Sequence, residues 1–520
     1  MSTALAGLVG CLAPRRPSDV AVYASGTDLE SGNPLVTVHS LSRQIQRYAL
    51  FVTLARYDSL LEPAPYAARS WEWSPDRRML TFHLVTGLRW QDGPPTTARD
   101  VAFTLDAARD PATGYWRATD LAAVDSVIPR DDSTAVLVFR SAQAAFPPVL
   151  CELPILPAHL LASVPRTDMR RAAFNLSPVG NGPFRFVERR AGARWTFARN
   201  ADFPAALGGP PRLAGFVVTV VDEPTTKFAG LASGDLDVAG IAPTMASLAR
   251  RDRSLRVVDY PILFTTGLAF NVAKPPFDDA RVRRAISLSI DRRRIVDAAL
   301  AGYGTPASGP VPPESPLALD VSATRDTMAA DALFDAAGWR RQGTGPRAKN
   351  GKPFEFELLT VGSGDNALEQ LVQADLAARG VAVRIRQAEL GTFLTSARAR
   401  VKTFDVLVSG VPGDVSLSFL ASMFETSQRG SALDYTGFHG SQLDALFART
   451  RSATTDGARI AAWRDVQRYL DAEQPVAWIY HSRGLQGLSA RLRNVRMDLR
   501  GEMPTLAQWE IAGEAQVAAR

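Results

Sequence analysis

The segment from Gly267 to Asp291, GLAFNVAKPPFDDARVRRAISLSID, constrains the fold of this chain more than any other stretch. An apolar strand pattern runs into Pro275-Pro276 and then into a helix whose apolar residues recur at helical spacing. Asp278 stands where it can cap that helix. The segment carries three arginines and none of the residue groupings that enzymes use for catalysis. It therefore predicts a rigid joint between a strand and a helix.

Strand-like and helix-like patterns alternate downstream of this joint. Apolar residues alternate along 354–358 and 381–385, a helical pattern lies between them, and a further apolar run covers 404–408. Strands that alternate with helices pack as a parallel sheet with helices on its faces. The Gly- and Pro-rich stretch from Pro178 to Phe184 leads instead into closely spaced strands, which indicates another structural unit.

The composition limits the classes to which the protein can belong. A chain of 520 residues exceeds one ordinary hydrophobic core, so two or three domains are expected. The net charge is +6, but the cations are scattered and, apart from five lysines, all are arginine. Because no basic stripe with interleaved aromatic residues is present, we expect no nucleic-acid partner. No uncharged apolar run reaches 18 residues, so we expect no membrane span.

One of the two cysteines lies in an apolar N-terminal stretch. The tetrad Leu8-Val9-Gly10-Cys11 resembles a bacterial lipobox, in which a signal peptidase cuts before a cysteine that is then lipidated. This interpretation predicts that residues 1–11 are a lipoprotein signal segment and that Cys11 is the lipidation site. The residues before Cys11 contain no Lys or Arg, so a chance Gly-Cys pair is the alternative. Cys151 is then left without a partner and is predicted to be a small buried side chain.

The chain shows no local pattern typical of catalysis or of metal binding. It lacks the Gly-x-x-x-x-Gly-Lys-Ser/Thr phosphate loop and the Gly-x-Ser-x-Gly elbow of many hydrolases. Its five histidines, at 39, 83, 159, 439 and 481, are far apart, and neither His-Glu-x-x-His nor Cys-x-x-Cys is present. We therefore expect a binding protein without metal or cofactor, and not an enzyme.

At the joint, the chain resembles the bacterial extracellular solute-binding proteins of family 5, the peptide-, nickel- and oligosaccharide-binding components of ABC importers. The residues that carry this resemblance are Phe270-Asn271, Pro275-Pro276-Phe277, Asp279, Arg281-Val282-Arg283, Ala285-Ile286 and Asp291-Arg292. Further landmarks follow the family's order from about residue 50 to 480, namely Trp71–Asp76, Trp90–Pro94, Thr97–Phe103, Pro157–His159, Val179–Phe184 and Ala336–Trp339.

The resemblance implies an α/β, periplasmic-binding-protein-like fold with two lobes, a hinge of crossing strands and an extra domain on the first lobe. It places lobe I at 12–50, 180–265 and 482–520, the extra domain at 51–179, and lobe II at 266–481. The expected function is capture of peptides by hinge closure and their delivery to an ABC permease and its ATPase. The expected protein is a monomer in the periplasm or on the cell surface, lipid-anchored to the membrane. A binding protein for a sugar or another small molecule, or a ligand-presenting sensor or chaperone, is the alternative.

The resemblance also indicates candidate ligand-binding residues. Peptide-binding members commonly pair the ligand's amine with the aspartate of a Gly-Trp-x-x-Asp segment. An alignment on Gly410 places Asp414 on that aspartate and Val411 on the tryptophan, whereas an alignment on Phe419-Leu420 places Pro412 on the aspartate. Asp414 is thus either the amine anchor or a solvated turn residue. The aromatic candidates for the cleft, each of which is otherwise a packing residue, are Tyr115, Trp116 and Tyr435.

Overall fold

The computed structural model describes residues 19–321, 324–362, 366–431, 433–453 and 455–512. The predicted signal segment 1–11 and the lipidation at Cys11 lie outside these ranges. Within them, no helix is long and apolar enough to cross a membrane. The side chain of Cys151 is buried, in agreement with the prediction, and within the described ranges it forms no disulfide.

A mixed sheet of eleven strands, counted over the described residues, is the centre of the fold. Three strands downstream of the joint pair in parallel, as the alternating pattern predicts. From one edge to the other the strands are Ala382–Ala388, Glu355–Val361, Val406–Pro412, Leu255–Phe270, Val476–Ser489, Val238–Gly240, Val20–Ser25, Gly215–Val220, Arg194–Arg199 and Phe184–Arg190, and Gly304–Pro306 pairs with Val476–Ser489.

Two long strands in the middle of this sheet, Leu255–Phe270 and Val476–Ser489, are named the crossing strands. They pair in antiparallel fashion, and the register shifts between Pro261 and Thr265. The strands from 20 to 240 lie on one side of them, and those from 355 to 412 on the other. The chain thus has two lobes joined by shared central strands. The predicted lobe boundaries, at 265/266 and 481/482, fall inside the crossing strands and stay a prediction.

Helices cover the sheet, and a smaller sheet forms within residues 51–179. The smaller sheet is antiparallel and consists, in order, of Ala68–Trp73, Met79–Leu84, Thr134–Phe139 and Val124–Pro129. Short strand pairs or triplets join Ala55–Tyr57 with Pro63–Pro65, Arg340–Arg341 with Arg347–Lys349 and Lys352–Pro353, and Leu492–Arg493 with Glu510–Ile511. The helices are Ser40–Ile45, Ala98–Arg109, Ala158–Leu161, Pro224–Ser233, Ala246–Arg251, Ala280–Ser289, Arg292–Ala299, Thr327–Ala336, Ala367–Ala377, Leu390–Arg398, Ser418–Phe424, Ser441–Ser452 and Asp456–Glu473.

The apolar cores show which parts of the molecule are packed together. One cluster joins side chains of the smaller sheet, such as Phe82, to side chains of the first lobe, such as Phe216. The second lobe has separate clusters on the two faces of its sheet, so that Ala269 belongs to one and its neighbour Leu268 to the other. The extra domain and the first lobe therefore share one core, and the crossing strands link them to the second lobe.

The joint has the predicted form, with a one-residue correction at its cap. Asp279, and not Asp278, caps helix Ala280–Ser289 by accepting a hydrogen bond from the Arg281 amide. The guanidinium of Arg283 is buried and donates to the carbonyl oxygens of Phe277 and Glu473. Arg283 therefore stabilises the fold by donating hydrogen bonds to main-chain carbonyl oxygens, and its role in the joint is structural.

Three landmark segments of the extra domain meet at Asp100. Its Oδ2 accepts from the Thr97 amide at 2.8 Å and from the Trp90 indole at 3.3 Å, and its Oδ1 accepts from the Ala158 amide at 2.9 Å. The Thr97 hydroxyl accepts in turn from the Arg99 amide in the first turn of helix Ala98–Arg109, which completes a capping box. These three segments therefore stabilise the extra domain.

Thr97→Ala is expected to lower the free energy of unfolding by about 1 kcal/mol, because an amide at the helix N-terminus loses its acceptor. Chemical denaturation monitored by circular dichroism measures the loss. Arg99→Ala, which alters an exposed side chain on the same turn, is the control. Equal losses in the two variants would argue against the capping role.

Candidate functional site

A cavity of about 750 Å³ lies between the extra domain and the second lobe, and is named the cleft. Its volume falls in the range of ligand pockets, roughly 300–1,000 Å³. Aromatic rings line both walls: Tyr57, Trp71, Phe139 and Phe146 come from the extra domain, and Phe447 and Trp463 from the second lobe. Such walls bind the apolar parts of an organic ligand.

Polar groups are set between the aromatic walls. The hydroxyls of Ser416, Ser418 and Ser422 belong to the segment that enters and forms helix Ser418–Phe424. The charged side chains of the lining are the carboxylates Glu62, Asp120, Glu425 and Asp456 and the guanidinium groups Arg451 and Arg459. The lining thus carries more negative than positive charge, and favours a ligand with cationic character.

Direct contacts across the cleft hold its walls together. Arg459 of the second lobe lies 3.5 Å from the Glu62 carboxylate of the extra domain. Val415 packs against the small apolar cluster that contains Tyr57 and Cys151. The Arg117 guanidinium is 3.5 Å from the hydroxyl of Ser416. The extra domain and the second lobe are therefore in contact around the cleft.

Arg117 is the centre of a buried ion cluster at this contact. Its side chain is 3% exposed, and it donates to Asp120 at 2.6 Å and to Glu152 at 2.7 Å. Burial by itself lowers the pKa of Arg117, but the carboxylates of Glu152 and Asp120 more than offset this and raise the pKa well above its ordinary value. Arg117 thus stays charged and orders two carboxylates beside the cleft.

Asp414 is not a solvated turn residue, because it is only 9% exposed. Its Oδ1 accepts from the Ser416 hydroxyl and the Ser418 amide, and its Oδ2 accepts from the Ser418 hydroxyl and the Phe419 amide. These four bonds match the four acceptor positions of a carboxylate. Asp414 therefore caps helix Ser418–Phe424 from the preceding loop. Its neighbours Val415 and Ser416 line the cleft, whereas Asp414 does not.

Tyr115 and Trp116 lie at a second, much smaller cavity of about 20 Å³, named the arginine pocket. The Trp116 ring is 43% exposed and lies 4.7 Å below the guanidinium of Arg43. Tyr115 is buried, and burial raises its pKa to about 12. Arg47, another wall of this pocket, lies 4.0 Å from Glu152. The pocket is close to the ion cluster of Arg117 but has room for little more than one water molecule.

The other three candidates are part of the interior of the second lobe. Val411 and Tyr435 belong to one of its apolar clusters. Gly410 lies under the ring of Phe264, which a Cβ atom at this position would approach to 2.2 Å. Steric exclusion by Phe264 is thus the reason for glycine at 410, and the placement of these three residues gives no support to their prediction as ligand contacts.

Sequence reasoning missed most of the residues that line the cleft. Trp71 belongs to a family landmark, but the other aromatic residues of the walls come from separate segments with no motif in common. The one local signal was the serine spacing of Ser416, Ser418 and Ser422, which places hydroxyls near one another at the start of a helix. Among the described residues, no group of histidine, cysteine or carboxylate side chains is arranged to hold a metal ion.

Comparisons with known proteins agree on one family. Residues 62–431 match the profile described as bacterial extracellular solute-binding proteins, family 5 middle. Protein XP55 of Streptomyces lividans is 29% identical over 476 residues, which cover 90% of this chain and 85% of that protein. The dipeptide-binding protein of Escherichia coli is 24% identical over 515 residues, 92% of each chain. The oligopeptide-binding protein AppA of Bacillus subtilis, solved in complex with a nonapeptide, superposes with a TM-score of 0.78 at 23% identity and covers 95% of this chain and 99% of its own.

Proposed function

Because the chain belongs to the bacterial extracellular solute-binding proteins of family 5, we propose that it is the solute-binding component of an ABC-type importer and that it captures peptides in the cleft. The closed, liganded form is then presented to a membrane permease, and the protein itself carries out no chemical reaction. It acts in the periplasm or at the cell surface as a monomer, and the lipid at Cys11 anchors it.

The observation that carries this proposal is the position of the cleft. On one side of the cleft is the unit formed by the first lobe and the extra domain, and on the other side is the second lobe. The crossing strands connect these two sides. Ligand contacts on both walls stabilise the closed arrangement over an open one, and this differential affinity is what shifts the equilibrium. The peptide-binding names of the relatives support peptides as the ligand class.

The interruption of the ladder between Pro261 and Thr265 is our candidate for the hinge point. Proline donates no backbone hydrogen bond, and irregular register leaves backbone groups of this stretch outside the ladder. Bending at this place breaks fewer hydrogen bonds between the two crossing strands than bending within their regularly paired parts. The lobes then open by rotation about a few residues.

We expect the purified protein to release a family of peptide masses when it is unfolded during native mass spectrometry, and to be stabilised against heat by a mixture of synthetic peptides. Ala421→Trp, which places a large ring in the cleft, is expected to weaken peptide binding about tenfold or more. Ala112→Trp, at an exposed position of the extra domain, is the matched control.

The results separate the candidate functions. One non-peptide mass would identify another organic solute as the ligand. Absence of bound peptide together with absence of a thermal shift would contradict peptide capture and favour a sensor or chaperone. Equal binding by the parent and Ala421→Trp would show that the ligand lies outside the cleft.

A further inference from the structure

We propose that the cleft selects peptides with large apolar side chains, aromatic ones above all, over peptides with polar or charged side chains. This inference rests on the proposed function and names the class of peptide within it. The side-chain subsite that we assign is formed by Trp71 and Phe146 of the extra domain and Val415 of the second lobe.

The charged groups inside the cleft are already paired. Glu425 lies 2.7 Å from Arg451, and Asp120 lies 2.6 Å from Arg117, which is not itself part of the lining. Because each of these carboxylates has an arginine beside it, a charged side chain of a ligand must compete with an existing pair. Removing such a side chain from water without a free partner is unfavourable.

The excess negative charge of the lining lies where water screens it. Glu62 and Asp456 share one cation, Arg459, which is within 3.5 Å of both carboxylates. The side chains of Glu62 and Asp456 are 44% and 79% exposed, so solvent and salt weaken the field of their charge. This excess attracts cationic ligands from a distance but provides no buried counter-ion for a ligand side chain.

The serine hydroxyls of the lining donate their hydrogen bonds within the protein. Ser416 and Ser418 donate to the Asp414 carboxylate, and Ser422 donates to the carbonyl oxygen of Ser418. A hydroxyl has one proton, so none of these three offers a free donor to a ligand. A polar side chain that enters the cleft therefore gives up hydrogen bonds with water and finds no donor among these hydroxyls.

Aromatic rings remain as the available contacts. Trp71 and Phe146 are only partly buried, and their ring centroids are 4.8 Å apart. Val415 of the second lobe packs against the same small apolar cluster as these two rings. An aromatic side chain of the ligand can lie edge-to-face or offset against such rings and bury apolar area on both partners. Because both sides of the cleft contribute to this subsite, filling it also favours the closed form.

The test uses synthetic tetrapeptides with free termini that differ only at their two central positions. One pool carries phenylalanine or tryptophan there, a second carries serine or glutamine, a third carries lysine and a fourth carries glutamate. Native mass spectrometry measures their competitive capture by the purified full chain. We expect the parent to prefer the aromatic pool over the serine and glutamine pool by about tenfold or more, the effect of burying one large apolar side chain. Both charged pools are expected to be captured less than the aromatic pool.

Variants attribute the preference to the subsite. Trp71→Ala is expected to reduce it to about threefold or less, and Trp71→Phe to retain most of it. Trp73→Ala is the matched control, because Trp73 is a partly buried tryptophan of the same strand that does not line the cleft. The preference is a ratio measured within each variant, so a general loss of affinity does not imitate its loss.

The outcomes separate this inference from the proposed function. Equal capture of the aromatic and polar pools by the parent would overturn the inference while peptide binding stands. Preferential capture of either charged pool would overturn it as well. An undiminished preference in Trp71→Ala would overturn the assignment of the subsite. Capture of none of the pools would overturn the proposed function and this inference with it.

Discussion

Arg117→Met is expected to destabilise the protein by about 3–5 kcal/mol, the usual effect of removing one member of a buried ion cluster. The substitution keeps an apolar stem of similar length but leaves Asp120 and Glu152 without their shared cation. The carboxylates of Asp120 and Glu152, which are 22% and 9% exposed, then repel each other, and each loses a short hydrogen bond. Urea denaturation followed by tryptophan fluorescence measures the change, which we expect to appear first in the extra domain.

Two comparisons isolate the reason for this loss. Arg140→Met removes an exposed arginine 3.6 Å from Asp125 and is expected to change the stability by less than about 1 kcal/mol. Combining Arg117→Met with Asp120→Asn removes this ion pair as a whole, while Glu152 keeps Arg47 at 4.0 Å, so part of the lost stability should return. A single variant as stable as the parent would contradict the central role of Arg117.

Acidification from pH 7 to pH 5 is expected to weaken the crossing strands through His481. This side chain is 4% exposed on strand Val476–Ser489, and its Nδ1 lies 2.9 Å from the hydroxyl of Thr265 on the other crossing strand. The Thr265 hydroxyl donates to the Pro310 carbonyl, so it accepts from Nδ1–H of a neutral imidazole. Burial lowers the pKa of His481 to about 4, below its ordinary value of 6.5.

The sign of the effect follows from proton binding. Between these two pKa values the unfolded chain binds a proton at this histidine and the folded chain does not, so the free energy of unfolding falls as the pH falls. The slope is about 1.4 kcal/mol per pH unit within the window and vanishes above about pH 7.

Denaturation midpoints at pH 5, 6, 7 and 8 measure this dependence. His481→Gln, which retains an amide donor for Thr265, is expected to lose the part of the slope that His481 contributes. His83→Gln, at a partly exposed position in the extra domain, is the control and should behave as the parent does. Parallel pH profiles for the parent and His481→Gln would refute the assignment.

The parts of the protein that its sequence determined are local or are carried by family landmarks. The capping box at Thr97 and the cap at Asp291 depend on side chains within one helical turn, and the structure contains both. The cap of the joint shifted from Asp278 to Asp279, because neighbouring aspartates are equally able to cap and only the path of the chain selects one. The parallel strands after the joint followed from the alternation of patterns, which reflects burial on both sheet faces.

The tertiary structure alone decided the ligand site. The cleft is built from segments that are far apart in the sequence, such as those of Glu62 and Arg459, and no local pattern records that they face each other. The sequence offered two roles for Asp414, and hydrogen bonds to Ser418 and Phe419 gave it a third, that of a buried cap. Asp120 acquired its place in the buried ion cluster only when folding brought it beside Arg117. Local free energies determine helices and turns from nearby residues, whereas a binding cleft depends on which distant side chains the long strands bring together.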